Sequence, residues 1–266
     1  MGAKDRRAGR AVILASSLAF HPGDPAAALG RVLELGYRGL EVLCDPPWHP
    51  RGWPASTVRA LAGSGAVLSL HAPIADVNLM SPHPQARAFA EAELRRTVVL
   101  AAALGASGVT FHIGYRSTGS PYDPPWEEAK EAIGRLAELA RGLGVELLLE
   151  NDPRLPLLFL WDLNLYADVL EELDLPGTLD LGHAWTAHGK EALSLIPRIA
   201  GRIREVHLHD NHGQDDEHLP LGSGVVDTRA ALALLTPEQL VVEAKTPEAL
   251  AHDIGWLERN LRLASL

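Results

Sequence analysis

The sequence predicts a closed parallel α/β barrel, and three observations carry that expectation. Short apolar runs recur eight times, helical segments separate them, and the alternation fills a chain of 266 residues, the size of one such barrel. No linker, low-complexity stretch or basic run marks a second domain. Residues 11–266 therefore read as one domain, preceded by a loose charged tail at residues 1–10.

The runs are Ala11–Ser17, Gly39–Cys44, Val67–His71, Gly108–His112, Glu146–Glu150, Gly177–Asp180, Ile203–His209 and Gln239–Glu243. Each is rich in Val, Leu or Ile and bounded by Gly, Pro, Asp or Asn, as strands buried on both faces are. Segments with helical spacing lie between them, most clearly Pro25–Leu35, Gln85–Leu104, Trp126–Leu143 and Leu163–Leu173. Leu35-Gly36, Leu104-Gly105 and Leu143-Gly144 place glycine where helix C-termini favour it. An open doubly wound sheet is the rival architecture, but no glycine-rich phosphate fingerprint follows the first run. A single (β/α)8, or TIM, barrel is the expectation.

Composition narrows the function. Hydrophobic residues make up 47% and charged residues 22%, the balance of a globular protein with a substantial core. No stretch approaches the roughly 18 apolar residues that cross a membrane. The charged start has no apolar run after it long enough for a secretory signal, so a cytoplasmic location is expected. Cys44 is the only cysteine, which excludes an intrachain disulfide and a thiolate zinc site. A metal would rest on imidazole and carboxylate. The net charge of −10 opposes a broad, sequence-independent grip on nucleic acid, although a local basic patch is compatible with it.

Metal-type ligands fall at the ends of six consecutive runs, from the third to the eighth. His71 and His112 end two of them, Glu150 and Glu243 end two more, and Asp180 is followed by His183 three residues on. His207 and His209 share one face of the seventh run, because side chains two apart in a strand point the same way. A lone histidine ending a strand is commonly structural. Glu150 and Glu243 are harder to dismiss, since each follows an apolar run and a buried carboxylate is costly without compensation. In a barrel these ends converge on the C-terminal mouth, where active sites of the fold lie. The loop after the seventh run adds Asp216 and His218, close enough to chelate one ion, with Gly222 and Gly224 to let it fold back.

These motifs resemble the xylose isomerase-like TIM-barrel superfamily, which includes sugar-phosphate isomerases and epimerases and the endonuclease IV class (AP endonuclease family 2). The segments that carry the resemblance are His71, Phe111-His112, Glu150-Asn151, Asp180-Leu-Gly-His183, His207-Leu-His-Asp210, Asp216-Glu-His218-Leu-Pro-Leu-Gly-Ser-Gly224 and Val242-Glu243. The endonuclease IV three-zinc pattern would carry over to His71, His112, Glu150, Asp180, His183, His207, Asp216, His218 and Glu243. Of these, Glu150, Asp180, His207 and Glu243 also match the single-metal site of ketose epimerases. The resemblance selects His207 over His209, and His188, His209 and His212 are expected behind the ligands or in solvent.

The two branches imply different chemistry. In the isomerase branch one Mn²⁺-like ion would bind adjacent sugar oxygens, with Glu150 and Glu243 as both ligands and catalytic proton-transfer groups. In the endonuclease branch two or three Zn²⁺ ions would drive phosphodiester hydrolysis. Against the first, Gly213-Gln214 stands where epimerases carry an arginine, and the region of Pro156 lacks their second glutamate. Against the second, the loop from Cys44 to Trp53 is not basic, and Arg51, Arg116, Arg154 and Lys245 form no stripe. The expectation is a metal-dependent isomerase or epimerase of a small sugar or sugar phosphate, holding one to three divalent ions, Zn or Mn. The alternatives are a zinc phosphoesterase and a silent metal- or sugar-binding module. Trp48, Trp53, Tyr122 and Trp126 are expected near the mouth, to stack on a sugar or to cap the core. Leu155–Trp161 is apolar enough for a lid or a homo-oligomer contact.

Overall fold

A computed structural model describes residues 11–46, 49–117 and 122–261, so the N-terminal tail and Trp48 lie outside the described residues. Strands β1 (Val12–Ser16), β2 (Gly39–Leu43), β3 (Val67–His71), β4 (Gly108–Phe111), β5 (Glu146–Glu150), β6 (Gly177–Asp180), β7 (Ile203–Leu208) and β8 (Gln239–Val242) pair in parallel and in chain order. β8 returns to β1 through the registers Val12 with Gln239 to Ala15 with Val242, closing the barrel. Around it run α1 (Pro25–Glu34), α2 (Ala55–Ala62), α3 (Pro84–Leu104), α4 (Trp126–Leu143), α5 (Leu163–Glu172), α6 (Leu181–His188), α7 (Ala192–Ile199), α8 (Thr228–Leu232) and α9 (Pro247–Asn260). Among the described residues no helix is long and apolar enough to cross a membrane.

The expected strands hold to within a residue or two at each end. Cys44, His112, His209 and Glu243, expected as the last strand residues, sit one residue beyond their ladders, where the chain turns away from the sheet. α3 and α4 end as glycine placement predicts, with Gly105 and Gly144 in the left-handed region at φ 69° and 73°.

Strand parity sorts each run into two faces. Leu40, Val42, Leu68, Leu70, Val109, Leu147, Leu149 and Val206 face outward and form one apolar cluster with the inner faces of the helices. The inward positions are different. Below the mouth lie Glu41, Ser69, Thr110, Thr178 and Glu205, all buried. Thr110 Oγ1 lies 2.7 Å from both Thr178 Oγ1 and Glu205 Oε1. Barrel interiors are usually filled by branched apolar side chains; here a polar floor underlies the mouth.

Closure also depends on a contact between distant parts of the chain. Tyr37, buried between α1 and β2, donates from its hydroxyl to the Leu250 carbonyl in α9 at 2.9 Å. Tyr37→Phe removes that bond while keeping the ring. It is expected to cost about 1 kcal/mol and to lower Tm by roughly 2–4 °C in a thermal melt. An unchanged Tm would show that the bond adds nothing to closure.

Candidate metal centre

All nine residues singled out in the sequence come together at the C-terminal mouth. Glu150, at the end of β5, is 1% exposed and stands at the centre. Its Oε2 lies 3.0 Å from His71 Nε2 and 3.1 Å from His112 Nε2. Its Oε1 lies 3.1 Å from His207 Nδ1, and Glu243 Oε1 approaches the same nitrogen at 3.5 Å. Asp180 ends β6 and also caps α6, its Oδ1 accepting the His183 backbone N–H. Asn151 locks β5 to β6 by accepting from the Asp180 backbone N–H at 2.8 Å and donating to its carbonyl at 3.1 Å.

Three of the mutually close ligand groups are His71–His112–Glu150, Glu150–Asp180–His207 and His209–Asp216–His218, each with donor atoms within 4.8 Å of one another. Glu150 belongs to the first two. Asp180, His183 and His209 form another group that links the second to the third. Six imidazoles run in an arc, His207–His71–His112–His183–His209–His218, with successive ring centroids 4.0 to 6.2 Å apart.

The loop after β7 is built on Asp210. Its carboxylate accepts the backbone N–H groups of Asn211, Gly222, Gly224 and Val226, drawing both limbs of the loop together. A Cβ on Gly224 would sit 2.1 Å from the Asn211 carbonyl oxygen, so glycine is required there. The loop thereby returns Asp216 and His218 to the mouth, and His218 is held at φ 51°, strained for a non-glycine residue.

Beside these candidate ligands lies a cavity of about 310 Å³. One wall is His71, His112, Glu150, His183, Asp216, His218 and Glu243; the other is apolar, with Leu18, Leu43, Ile74, Val77 and Leu158. The apolar stretch after β5 supplies part of that wall through Leu158, whose neighbours Phe159 and Leu160 are buried, while Leu155 and Leu157 face outward. Tyr115 is the aromatic ring of the wall; Trp53 and Trp126 pack against the core instead, and Tyr122 is 71% exposed. His188 accepts the Leu163 backbone N–H, and His212 pairs with Glu217 at the surface.

The family model described as xylose isomerase-like TIM barrel matches residues 29–260. The chain belongs to this family. A relative named probable endonuclease 4, from Mycobacterium tuberculosis, is 29% identical over 259 residues, 90% of this chain and 96% of its own. The uncharacterized protein MJ1614 of Methanocaldococcus jannaschii is 28% identical over 160 residues, 60% of this chain and 62% of the relative's length. Among solved structures, a D-tagatose 3-epimerase-like protein superposes with TM-score 0.82 at 23% identity, covering 95% of this chain and 97% of that one. Protein TTHB071 of Thermus thermophilus, soaked with ZnCl2, superposes with TM-score 0.72 at 27% identity, covering 96% and 99%.

Within this family member the hydrogen bonds behind the imidazoles decide what the mouth can hold. Nδ1 of His71, His183 and His218 donates to the carbonyls of Ala72, Asn151 and Glu243 at 2.9, 2.8 and 3.0 Å, and Nδ1 of His112 is 2.9 Å from Asp152 Oδ1. Asp152 is itself held by the Phe159 and Leu160 backbone N–H groups. Each neutral ring therefore turns a bare Nε2 lone pair toward a carboxylate. Two acceptors facing each other repel unless a proton or a cation lies between them. Among the described residues, Asp180 Oδ2 and Asp216 Oδ1 are buried with no hydrogen-bond partner. This donor set fits divalent cations with mixed nitrogen and oxygen preference, and carboxylate- or carbonyl-bound imidazoles are the usual backing of such ligands.

Three further participants escape a reading of the sequence. His209, expected behind the ligands, lies inside the arc. Glu41 Oε2 and Glu205 Oε1 approach His207 Nε2 from the floor at 3.3 and 3.4 Å. Burial, with Glu205 adding to it, pushes the Glu41 carboxyl up to about 7 against the pull of His207.

The carboxylates also favour the protonated form of the rings that face them. Burial opposes charge on His112 and His218, but Glu150 and Asp152 lift the first to about 10, and Asp216 and Glu243 lift the second to about 9. A ring raised in the folded state stabilises fully below its unfolded value of about 6.5. That contribution fades as pH rises through the folded value. The Tm of chelator-treated protein is therefore expected to fall between pH 6.5 and 10, and more steeply than that of metal-loaded protein. Parallel profiles would contradict this electrostatic account.

Proposed function

We propose that this chain is a multinuclear divalent-metal hydrolase that cleaves a phosphoester small enough to enter the cavity. The observation that carries this reading is the sharing of Glu150 between two ligand groups, with the Asp216 group beside them. A single-ion isomerase uses Glu150, Asp180, His207 and Glu243 and leaves His71 and His112 without a task. Divalent ions at these groups supply positive charge that polarises an ester oxygen and makes water nucleophilic near neutral pH.

The chain's own residues do the rest. Glu150 and Asp180 hold neighbouring sites at fixed spacing. Asp152 and the Ala72 and Asn151 carbonyls fix the ring orientations. The apolar wall keeps bulk water off one side of the substrate, which strengthens electrostatic contacts within the cavity. Glu243, at the cavity edge, is placed to hold or pass a proton.

A small substrate suits the surroundings better than duplex nucleic acid. Among the described residues no lysine or arginine lines the cavity. Arg51 pairs with Glu93, Arg116 and Arg154 lie over Phe159 and Trp161, and Lys245 donates to the Glu217 carbonyl. A net charge of −10 opposes the approach of a phosphate backbone. The endonuclease 4 relative supports phosphoester chemistry, and the zinc-soaked structure supports zinc. A sugar isomerase or epimerase is the second reading, favoured by the Glu150–Asp180–His207 group with Glu243 alongside, a set sufficient for one ion.

Protein purified without added metal is expected to carry two or three ions per chain by plasma mass spectrometry and to hydrolyse bis(p-nitrophenyl) phosphate. Glu150→Gln is expected to lower kcat more than about 100-fold, beyond what changes behind the ligands cost. One ion per chain, with ketose-dependent uptake of deuterium from solvent, would establish the isomerase instead. Retained metal with neither activity would leave a silent binding module.

A further inference from the structure

The apolar wall of the mouth cavity comes from four separate segments, and polar clamps tie them together. Leu18 stands in the turn after β1, Leu43 ends β2, Ile74 and Val77 lie in the loop after β3, and Leu158 lies in the loop after β5. Ser17 Oγ accepts the Leu43 backbone N–H at 2.9 Å, joining the first two. Asp45 accepts the N–H groups of Ile74 and Ala75, one on each carboxylate oxygen, both at 2.9 Å. Asn78 accepts the Tyr115 N–H at 3.0 Å and donates to the Tyr115 carbonyl at 2.8 Å, joining the loops after β3 and β4. That junction needs Gly114, where at φ 117° a Cβ would lie 2.3 Å from Asn78 Oδ1. Tyr115 in turn bridges to Leu158.

Hydrocarbon at a barrel mouth is ordinarily a cap on the core, and a cap is covered. Here Ile74 is 45% exposed, and Leu18, Leu43 and Leu158 are half-buried, although each lines the cavity. The polar content of this side is equally specific. Leaving aside the ligand candidates and Asp152, whose oxygens are held by His112, Phe159 and Leu160, the described lining offers only the Ser16 and Tyr115 side chains as polar groups. A sugar bears a hydroxyl on nearly every carbon, and most of those would be buried there without partners, at a cost for each. A second phosphate would need a cation, and no described lining residue is lysine or arginine.

We propose that the organic group of the substrate is apolar, a single aryl ring or a short branched alkyl chain. It packs on Leu18, Leu43, Ile74, Val77 and Leu158 while the phosphoryl oxygens face the ligand wall. A cavity of about 310 Å³ stands at the small end of ligand sites, roughly 300–1,000 Å³, and suits one such group. The clamps hold the wall in shape before the substrate arrives, so binding costs little ordering. The inference rests on the phosphoester reading of the mouth and adds to it the class of ester.

Phosphonates, whose phosphorus–carbon bond ester hydrolysis does not touch, test it by calorimetric titration of zinc-loaded protein. n-Propylphosphonate and 2-hydroxyethylphosphonate differ only in a terminal methyl against a hydroxyl of similar size. The first is expected to bind at least about tenfold tighter. Phenylphosphonate is expected to bind about 10- to 100-fold tighter than methylphosphonate. Ile74→Thr, at an exposed position, is expected to cut the phenyl-to-methyl ratio by about threefold. Equal affinities within both pairs, or tighter binding of the hydroxyl compound, in protein that cleaves bis(p-nitrophenyl) phosphate would overturn the apolar class alone. A propyl and phenyl preference in protein that cleaves no phosphoester would contradict the hydrolase and keep the apolar site. Binding of none of the four by protein that retains its ions would overturn both.

Discussion

Both oxygens of Glu150 are committed to imidazoles. His71 and His112 approach one oxygen, and His207 approaches the other. A carboxylate removed from water in this way costs several kcal/mol unless positive charge compensates it. The surroundings supply places for that charge rather than the charge itself. Asp180 and Asp216 repeat the arrangement on either side of His183. The mouth is stable only with protons or cations between its rings and its carboxylates, and much else in the barrel follows from that requirement.

The fold meets it from three directions. From outside the mouth, backbone carbonyls and Asp152 tie down the Nδ1 atoms and aim Nε2 inward. From below, the polar floor replaces the branched layer usual in such barrels and places Glu41 and Glu205 under His207. From above, the Asp210-centred loop carries Asp216 and His218 back over the strands. The mouth is lopsided as a result: the ligand candidates lie at the ends of β3 to β8 and in the segments that follow, while β2, the turn after β1 and the loops after β3 and β5 supply the apolar wall. That asymmetry sets a polar, ligand-rich wall against an apolar one across the cavity.

The barrel was legible because its apolar runs are short, regularly spaced and punctuated by glycine. Six of the ligand candidates were legible because carboxylates and imidazoles stand at or near the ends of apolar runs, while His183, Asp216 and His218 lie in the segments that follow and were marked by their close spacing. Glu41 and Glu205 sent the same signal, a carboxylate within a buried strand, but they lie in mid-run, where parity alone does not separate the interior from the helix-facing side. His209 and His207 share a face, so alternation could not choose between them; the space over Gly182, which a Cβ would take from the His209 ring, shows that the backbone accommodates His209. Asp152 and Asp210 look like ordinary turn residues until the backbone groups they hold are seen. The aromatic ring of the wall was not legible, because the bridge between Tyr115 and Leu158 that brings two distant loops over the mouth leaves no periodic trace.

The central claim is that Glu150 is a carboxylate shared between neighbouring cations rather than one neutralised by histidinium. Anomalous diffraction at the zinc edge, from crystals of the protein as purified, tests it directly. The account predicts two peaks flanking Glu150, one on the side of His71 and His112 and one on the side of Asp180 and His207, with a third by His209 and His218. Glu150 hydrogen-bonded to three protonated rings, with no anomalous peak within coordination distance after zinc soaking, would contradict it.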